Sequence, residues 1–204
     1  MEQMTDHFEP LPLQAMQQPA LSLVQAEPHV WLTDPAGEVF TDLRVAAGVV
    51  VPTTDSLEET RRLMQLAGVR MAFVTDAPER IIGMVTLADL QGERPAQVAS
   101  VRAVPVRDLP VVDLMTPVAQ WTTIDFGRLA WAKVGHVVET FRASGQRYLI
   151  VTEQVAGHGA EAAPKIVIRG LFSANRVERA IGQPIEDALR SRSFAELAGA
   201  LGEP

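Results

Sequence analysis

Thr86 and Asp89 stand three residues apart where an apolar strand gives way to a helix, in the run Gly83-Met84-Val85-Thr86-Leu87-Ala88-Asp89. A hydroxyl and free backbone amides at a helix start can hold a phosphate, and a carboxylate one turn on can accept hydrogen bonds from both hydroxyls of a ribose. The same pair also makes an ordinary helix start that needs no ligand. A second approach of this kind comes later, in Gly170-Leu171-Phe172-Ser173. Aligning Gly83 with Gly170 sets Ser173 under Thr86 but Arg176 under Asp89, with Asn175 one position early. The second position therefore lacks the sugar acceptor: it is empty, binds an anion through Arg176, or takes a different ligand.

Other reactive constellations are absent from the spacing. The histidines His7, His29, His136 and His158 form no i, i+4 pair and have no carboxylate at a recurring metal-ligand interval, which argues against a metal site. No serine sits in a Gly-x-Ser-x-Gly turn and no Gly-rich run ends in Gly-Lys-Ser/Thr, so neither a hydrolase nucleophile nor a phosphate-binding loop is expected. Glu58-Glu59 and Glu186-Asp187 are adjacent carboxylates, but neighbours on a helix point about 100° apart, which suits solvated faces better than an acid/base pair. No catalytic residue is expected, and the chain reads as something other than an enzyme.

Charge and composition narrow the partners. The net charge of −7 disfavours non-specific binding to nucleic acid or an anionic membrane, since both need a field of the opposite sign. With no cysteines there can be no disulfide, thiol nucleophile or thiolate metal site, and a reducing cytoplasm is the natural compartment. Met1 to Pro10 carries Glu2, Asp6 and Glu9 without a basic residue or a following apolar run, unlike a secretory signal. The longest apolar stretch, Val45 to Val51, falls far short of the roughly 20 residues that span a bilayer.

The elements that would position Thr86 and Asp89 follow from local signals. Prolines 10, 12, 19 and 28 keep the first 28 residues from forming a long regular element, and residues 1–38 are expected as an N-terminal arm. Ala46 to Val51 predicts a buried strand stopped by Pro52. Ser56 with Glu59 forms a capping box, Gly68 a left-handed helix stop, and Leu57, Thr60, Leu63, Met64 and Ala67 the core-facing stripe between them. Met71 to Val74 and Ile81 to Val85 flank the turn residues Asp76 to Glu79 as a hairpin. The unit is strand, helix, strand, strand, helix.

The unit recurs. Asp42-Leu43 pairs with Asp113-Leu114, 71 residues on; Ala67-Gly68-Val69-Arg70 with Ser144-Gly145-Gln146-Arg147, 77 residues on; and Gly83-Met84-Val85-Thr86 with Gly170-Leu171-Phe172-Ser173, 87 residues on. The growing offset places about 6 extra residues near Asp125 to Lys133 and about 10 in Val155 to Pro164, where loop extension is cheap. The expected division is an arm (1–38), a first repeat (39–92), a linker with one helical turn or two (93–110), a second repeat (111–182) and an amphipathic helical tail (183–204). In the tail, Ile185, Leu189, Phe194, Leu197, Ala198 and Leu201 make the stripe.

Over about residues 39 to 182 these features resemble the CBS family, named for its occurrence in cystathionine β-synthase, and the two repeats together resemble a stand-alone bacterial CBS pair, or Bateman module. The likeness rests on Asp113-Leu114-Met115-Thr116-Pro117 ahead of the second repeat, on Ala-Gly or Ser-Gly followed by Arg at the end of each repeat's first helix, and on Gly-x-x-Thr/Ser opening its last helix. It implies an α/β fold, two repeats packed through their sheets about a pseudo-twofold axis with two clefts between them, and dimerisation into a disc. It further implies a non-catalytic regulatory module with an adenine-containing ligand, such as AMP, ADP or ATP, between the repeats, and a downstream protein partner. By that resemblance Val51, Thr53 and Met71 form the adenine slot beside Thr86 and Asp89, and Tyr148, Ser173 and Arg176 line the second cleft. The first repeat departs from the pattern in having Ala72 where many members carry proline. The rival reading is a ligand-free scaffold in which the repeats serve dimerisation alone.

Overall fold

The computed structural model describes residues 29–77, 80–156 and 164–185. The expected arm up to residue 28 and the tail from residue 186, with His7, His158 and Glu186-Asp187, lie outside them. The first half of the chain runs β1 (Thr41–Asp42), β2 (Val50–Pro52), α1 (Leu57–Leu66), β3 (Met71–Ala77), β4 (Arg80–Thr86), α2 (Leu87–Gln91) and α3 (Glu93–Arg102). The second half runs β5 (Thr116–Pro117), β6 (Thr123–Asp125), α4 (Val134–Ser144), β7 (Tyr148–Val155), β8 (Lys165–Ser173) and α5 (Ala174–Ile181).

Local chemistry accounts for the helix limits. At the start of α1 the Glu59 N–H donates to Ser56 Oγ (3.2 Å) and the Ser56 N–H donates back to the Glu59 carboxylate (2.9 Å), so two otherwise orphaned amides are satisfied. These hydrogen bonds hold the exposed Glu59 carboxyl below its ordinary range. Past α1, α4 and α5 the chain turns at Gly68, Gly145 and Gly182, all with φ between 65° and 69°, where a Cβ would be strained. Leu57, Thr60 and Met64 bury their side chains, whereas Leu63 and Ala67 are exposed. Leu63 lies about a quarter turn from Met64's line, so the docked stripe is narrower than the apolar pattern. The linker holds the three-turn helix α3 rather than one turn or two; Pro95 is tolerated because it falls in the first turn, where no helical hydrogen bond is lost.

Two four-stranded sheets result, β2-β3-β4-β5 and β1-β8-β7-β6. In each, the first strand of a repeat runs parallel to the second (Val51 beside Val74; Ile124 beside Val151) and the hairpin is antiparallel. The fourth strand comes from the other half: β1 pairs with β8, setting Asp42 opposite Gly170, and β5 pairs with β4, setting Pro117 opposite Gly83. The exchange corrects the expected match of Asp42 with Asp113. Thr41 and Asp42 correspond to Thr116 and Pro117, and Asp113 instead ends a 3-10 turn, Val111–Asp113, matching the turn Ala36–Val39 before β1. The two crossings need glycine. A Cβ on Gly83 would meet Met115 Sδ at 2.5 Å and the Thr116 carbonyl at 2.9 Å, and one on Gly170 would run into the Thr41 carbonyl and the Phe40 ring.

Three apolar clusters bind the layers. Val51, Met64, Val74 and Val85 form one core with Leu109, Val111 and Leu114 from beyond the linker helix. Val137, Phe141, Val151 and Phe172 form another, completed by Ala36 and Val39 from before β1. Between the sheets lie Met71, Phe73, Ile150 and Leu171. The halves differ at one buried point: Arg169 on β8, only 4% exposed, ion-pairs with Asp42 and with Glu153 (3.1 Å) and lies 4.4 Å from the Phe126 ring centre, whereas the matching residue of the first repeat is Ile82. Of the expected buried strand Ala46 to Val51 only Val50 and Val51 enter β2, with only Val51 buried; Ala46 to Gly48 are exposed, and Pro52 ends the strand at the sheet edge, where its missing N–H costs nothing.

Candidate functional site

The half-exchange leaves two clefts between the sheets, related by the internal repeat. Each is built from the last helix start of one repeat and the Gly-x-Arg turn of the other. The smaller, of about 380 Å³, is lined by Thr86 and Asp89 from the first repeat and by Trp121, Gln146, Arg147 and Tyr148 from the second half. The larger, of about 930 Å³, is lined by Ser173 and Arg176 from the second repeat and by Arg70 and Met71 from the first.

In the smaller cleft Thr86 caps α2. Its Oγ donates to Asp89 Oδ2 (2.7 Å), its N–H donates to the same oxygen (2.8 Å), and the Asp89 N–H donates back to Thr86 Oγ (3.3 Å). The second carboxylate oxygen, Oδ1, lies 3.7 Å from Arg94. The wall opposite carries the Trp121 indole, whose N–H donates to the Thr116 carbonyl (3.1 Å), and the Gln146 amide, which donates to Thr122 (3.1 Å). Arg147 is anchored on α5, donating to Asn175 Oδ1 (2.6 Å) and to both Glu178 oxygens (3.1 and 3.0 Å). Burial alone would raise the Glu178 pKa, but Arg147 and the Ile185 N–H hold it below the ordinary glutamate range.

The sequence-predicted residues divide between the clefts. Thr86 and Asp89 share the smaller, Met71, Ser173 and Arg176 the larger, and Tyr148 borders both. Burial raises the Tyr148 phenol above its ordinary pKa against the opposing pull of Arg70 and Arg147, with Asp89 adding to the rise. Val51 lines neither cleft; its side chain is fully buried in the first core, on the helix side of the sheet. Thr53 lies beyond β2, its N–H bonded to the Thr75 carbonyl (2.9 Å), and also lines neither. Trp121, Arg70 and Arg147 line the clefts without being candidates from the sequence, where the two arginines serve only as repeat anchors. Arg70 had a usable signal, since it matches Arg147 in the internal repeat.

A protein of this architecture is a tandem α/β-repeat module with paired inter-repeat clefts. The sequence model of the CBS domain matches residues 30–94. The second half repeats the topology of that unit, strand for strand. Among solved structures, an uncharacterized conserved protein from Pyrococcus horikoshii is similar at 19% identity and a TM-score of 0.50, over 77% of this chain and 98% of that one. Others are CBSX2 in complex with AMP (19% identity, TM-score 0.47, 78% and 98% coverage) and a CBS-domain containing protein from Agrobacterium tumefaciens (16%, 0.48, 78% and 98%). No curated protein matches the chain. Among the described residues no group of histidines and carboxylates could hold a metal ion, and no helix is long and apolar enough to cross a membrane.

Proposed function

We propose that the chain is a non-catalytic regulatory module that binds an adenine-containing ligand, such as AMP, ADP or ATP, in the smaller cleft. The observation that carries this reading is the convergence of Thr86, Asp89, Trp121 and Arg147 on one cavity. Asp89 Oδ1 accepts the ribose hydroxyls, the flat Trp121 face stacks on the base, and Arg147 meets the phosphate. Nothing is chemically transformed. The ligand acts by favouring one of two states of the module, which requires different affinity for the two. On this reading the module pairs as a homodimer in the cytoplasm and passes its state to a protein partner.

One observation favours the alternative of a ligand-free dimerisation scaffold: Thr86 and Asp89 already satisfy each other as a helix cap. Thermal stabilisation by AMP, ADP, ATP, S-adenosylmethionine and NAD separates the two, because a ligand of the native state raises stability by mass action. Each variant is compared with its own unliganded melting point. A shift in the wild type that disappears in Asp89→Ala supports the sensor; no shift with any compound leaves the scaffold; an equal shift in both proteins moves the site elsewhere.

A further inference from the structure

The larger cleft repeats the backbone of the smaller one with its charges changed. In the smaller cleft Arg147 shares the cavity with Asp89, a cation with an anion. At the matching positions of the larger cleft stand Arg70 and Arg176, two cations, and Arg179 adds a third where the first repeat has Gly92. Arg147 is held by Asn175 and Glu178; the residues that would hold Arg70 in the same way are Ala88 and Gln91. All three arginines are exposed, and none of them enters the ion pairs made among the described residues. The lining's one described carboxylate, Glu178, is already taken by Arg147 and the Ile185 N–H. Ser173 starts α5 without the side-chain cap that Thr86 makes, so its hydroxyl is not committed to the helix.

A guanidinium only donates hydrogen bonds, so Arg176 cannot replace Asp89 as an acceptor for sugar hydroxyls. Clustered like charges repel, and an anion that bridges them relieves the repulsion while gaining charge-assisted, bidentate hydrogen bonds. A single phosphate ester carries about −1.5 to −2 at neutral pH, too little to match three arginines; a diphosphate matches them. We propose that the larger cleft is a site for a diphosphate group held by Arg70, Arg176 and Arg179, recognised without its sugar. The proposal rests on the preceding reading only in taking the inter-repeat clefts as ligand sites, and it stands whether or not adenosine binds at Asp89.

Calorimetric titration of the full chain with inorganic pyrophosphate, inorganic phosphate, adenosine and ADP tests it, using the wild type, Arg70→Gln, Arg176→Gln and Asp89→Asn. Pyrophosphate is expected to bind the wild type and Asp89→Asn alike, and at least about tenfold more weakly to either arginine variant, the loss of one charge-assisted contact. High salt should weaken it by screening. Adenosine binding should respond to Asp89→Asn and be indifferent to the arginines. ADP binding no more tightly than pyrophosphate, with both weakened alike by Arg176→Gln, supports recognition of the diphosphate alone, whereas an ADP preference over pyrophosphate that is lost in Arg176→Gln would show that the nucleoside is recognised there and would overturn the proposal. Absence of pyrophosphate binding, equal binding by the arginine variants, or phosphate binding as tightly as pyrophosphate overturns the proposal. Loss of adenosine binding alone overturns only the adenine reading. The substituted side chains are exposed, and melting curves of the variants confirm that each is folded.

Discussion

Arg70 and Arg147 follow the same glycine in the two repeats, yet one is tethered by Asn175 and Glu178 and the other faces a cleft with further arginines. The backbones around them match: both preceding helices stop at a glycine with φ of 65°, and both sheets accept a strand from the opposite half against a glycine. Duplication has kept what positions the clefts and released what fills them. A few residues on α5, Asn175, Arg176, Glu178 and Arg179, separate a mixed-charge cleft from a cationic one without altering the fold. Internal symmetry is therefore a guide to geometry here and a poor guide to ligand.

The hardest way to break the comparison is to test whether the two crossings are equally rigid. Gly170→Ala forces a Cβ into the Thr41 carbonyl and the Phe40 ring, while the nearest atom at Gly83 is the movable end of Met115. Denaturant unfolding should show Gly170→Ala costing about 3 kcal/mol or more and Gly83→Ala about half that, in the range for overpacking a filled site. Equal losses would mean that the Thr116 backbone, not Met115, limits the first crossing.

A smaller effect sharpens the contrast at the helix starts. Asp89→Ala removes a reciprocal cap from α2 and should cost about 1 kcal/mol without any ligand, whereas Ser173→Ala, at a start with no side-chain cap, should cost only a few tenths. Comparable losses would give the Ser173 side chain a structural role equal to that of Asp89.

The smallest effect is on acid stability. The folded-state pKa of Glu178 lies below its ordinary value, so the stability it contributes is present above about pH 4.3, the unfolded glutamate value, and is lost as pH falls through the lower folded-state value. With Arg147 partly exposed, the pair is worth under about 1 kcal/mol. Melting points of wild type and Glu178→Gln should differ near neutrality and converge in acid. A gap that persists below the folded-state pKa would show that the pair acts through packing rather than charge.

What the sequence made legible was local. The Ser56–Glu59 capping box, the helix start at Thr86, the glycine stop at Gly68 and its repeat at Gly145, and the two hairpins depend on residues close to one another in the chain. The apolar run before Pro52 misled because hydrophobicity alone does not distinguish an exposed approach from a strand: Ala46, Ala47 and Gly48 are exposed and outside any strand, and of the expected residues only Val50 and Val51 enter β2. Thr86 and Asp89 were placed on one helix turn by spacing, but Trp121 and Arg147 reach them only through the sheets. Met71 pairs with Thr86 in the β3–β4 ladder and still lines the other cleft. The division of residues between cavities follows from how the halves interlock, which no interval along the chain encodes.

That interlocking also sets an order of events during synthesis. Chains grow from the amino terminus and fold in part as they emerge, and the first sheet has its last strand once β5 is made. β1, by contrast, leaves the ribosome early and must wait for β8, about 130 residues later, before its hydrogen bonds have a partner. Pairings so distant in sequence are slow to close. Thr41 and Asp42 are thus translated well before the strand that locks them, and a polypeptide ending before residue 170 would leave their ladder pairing unmade.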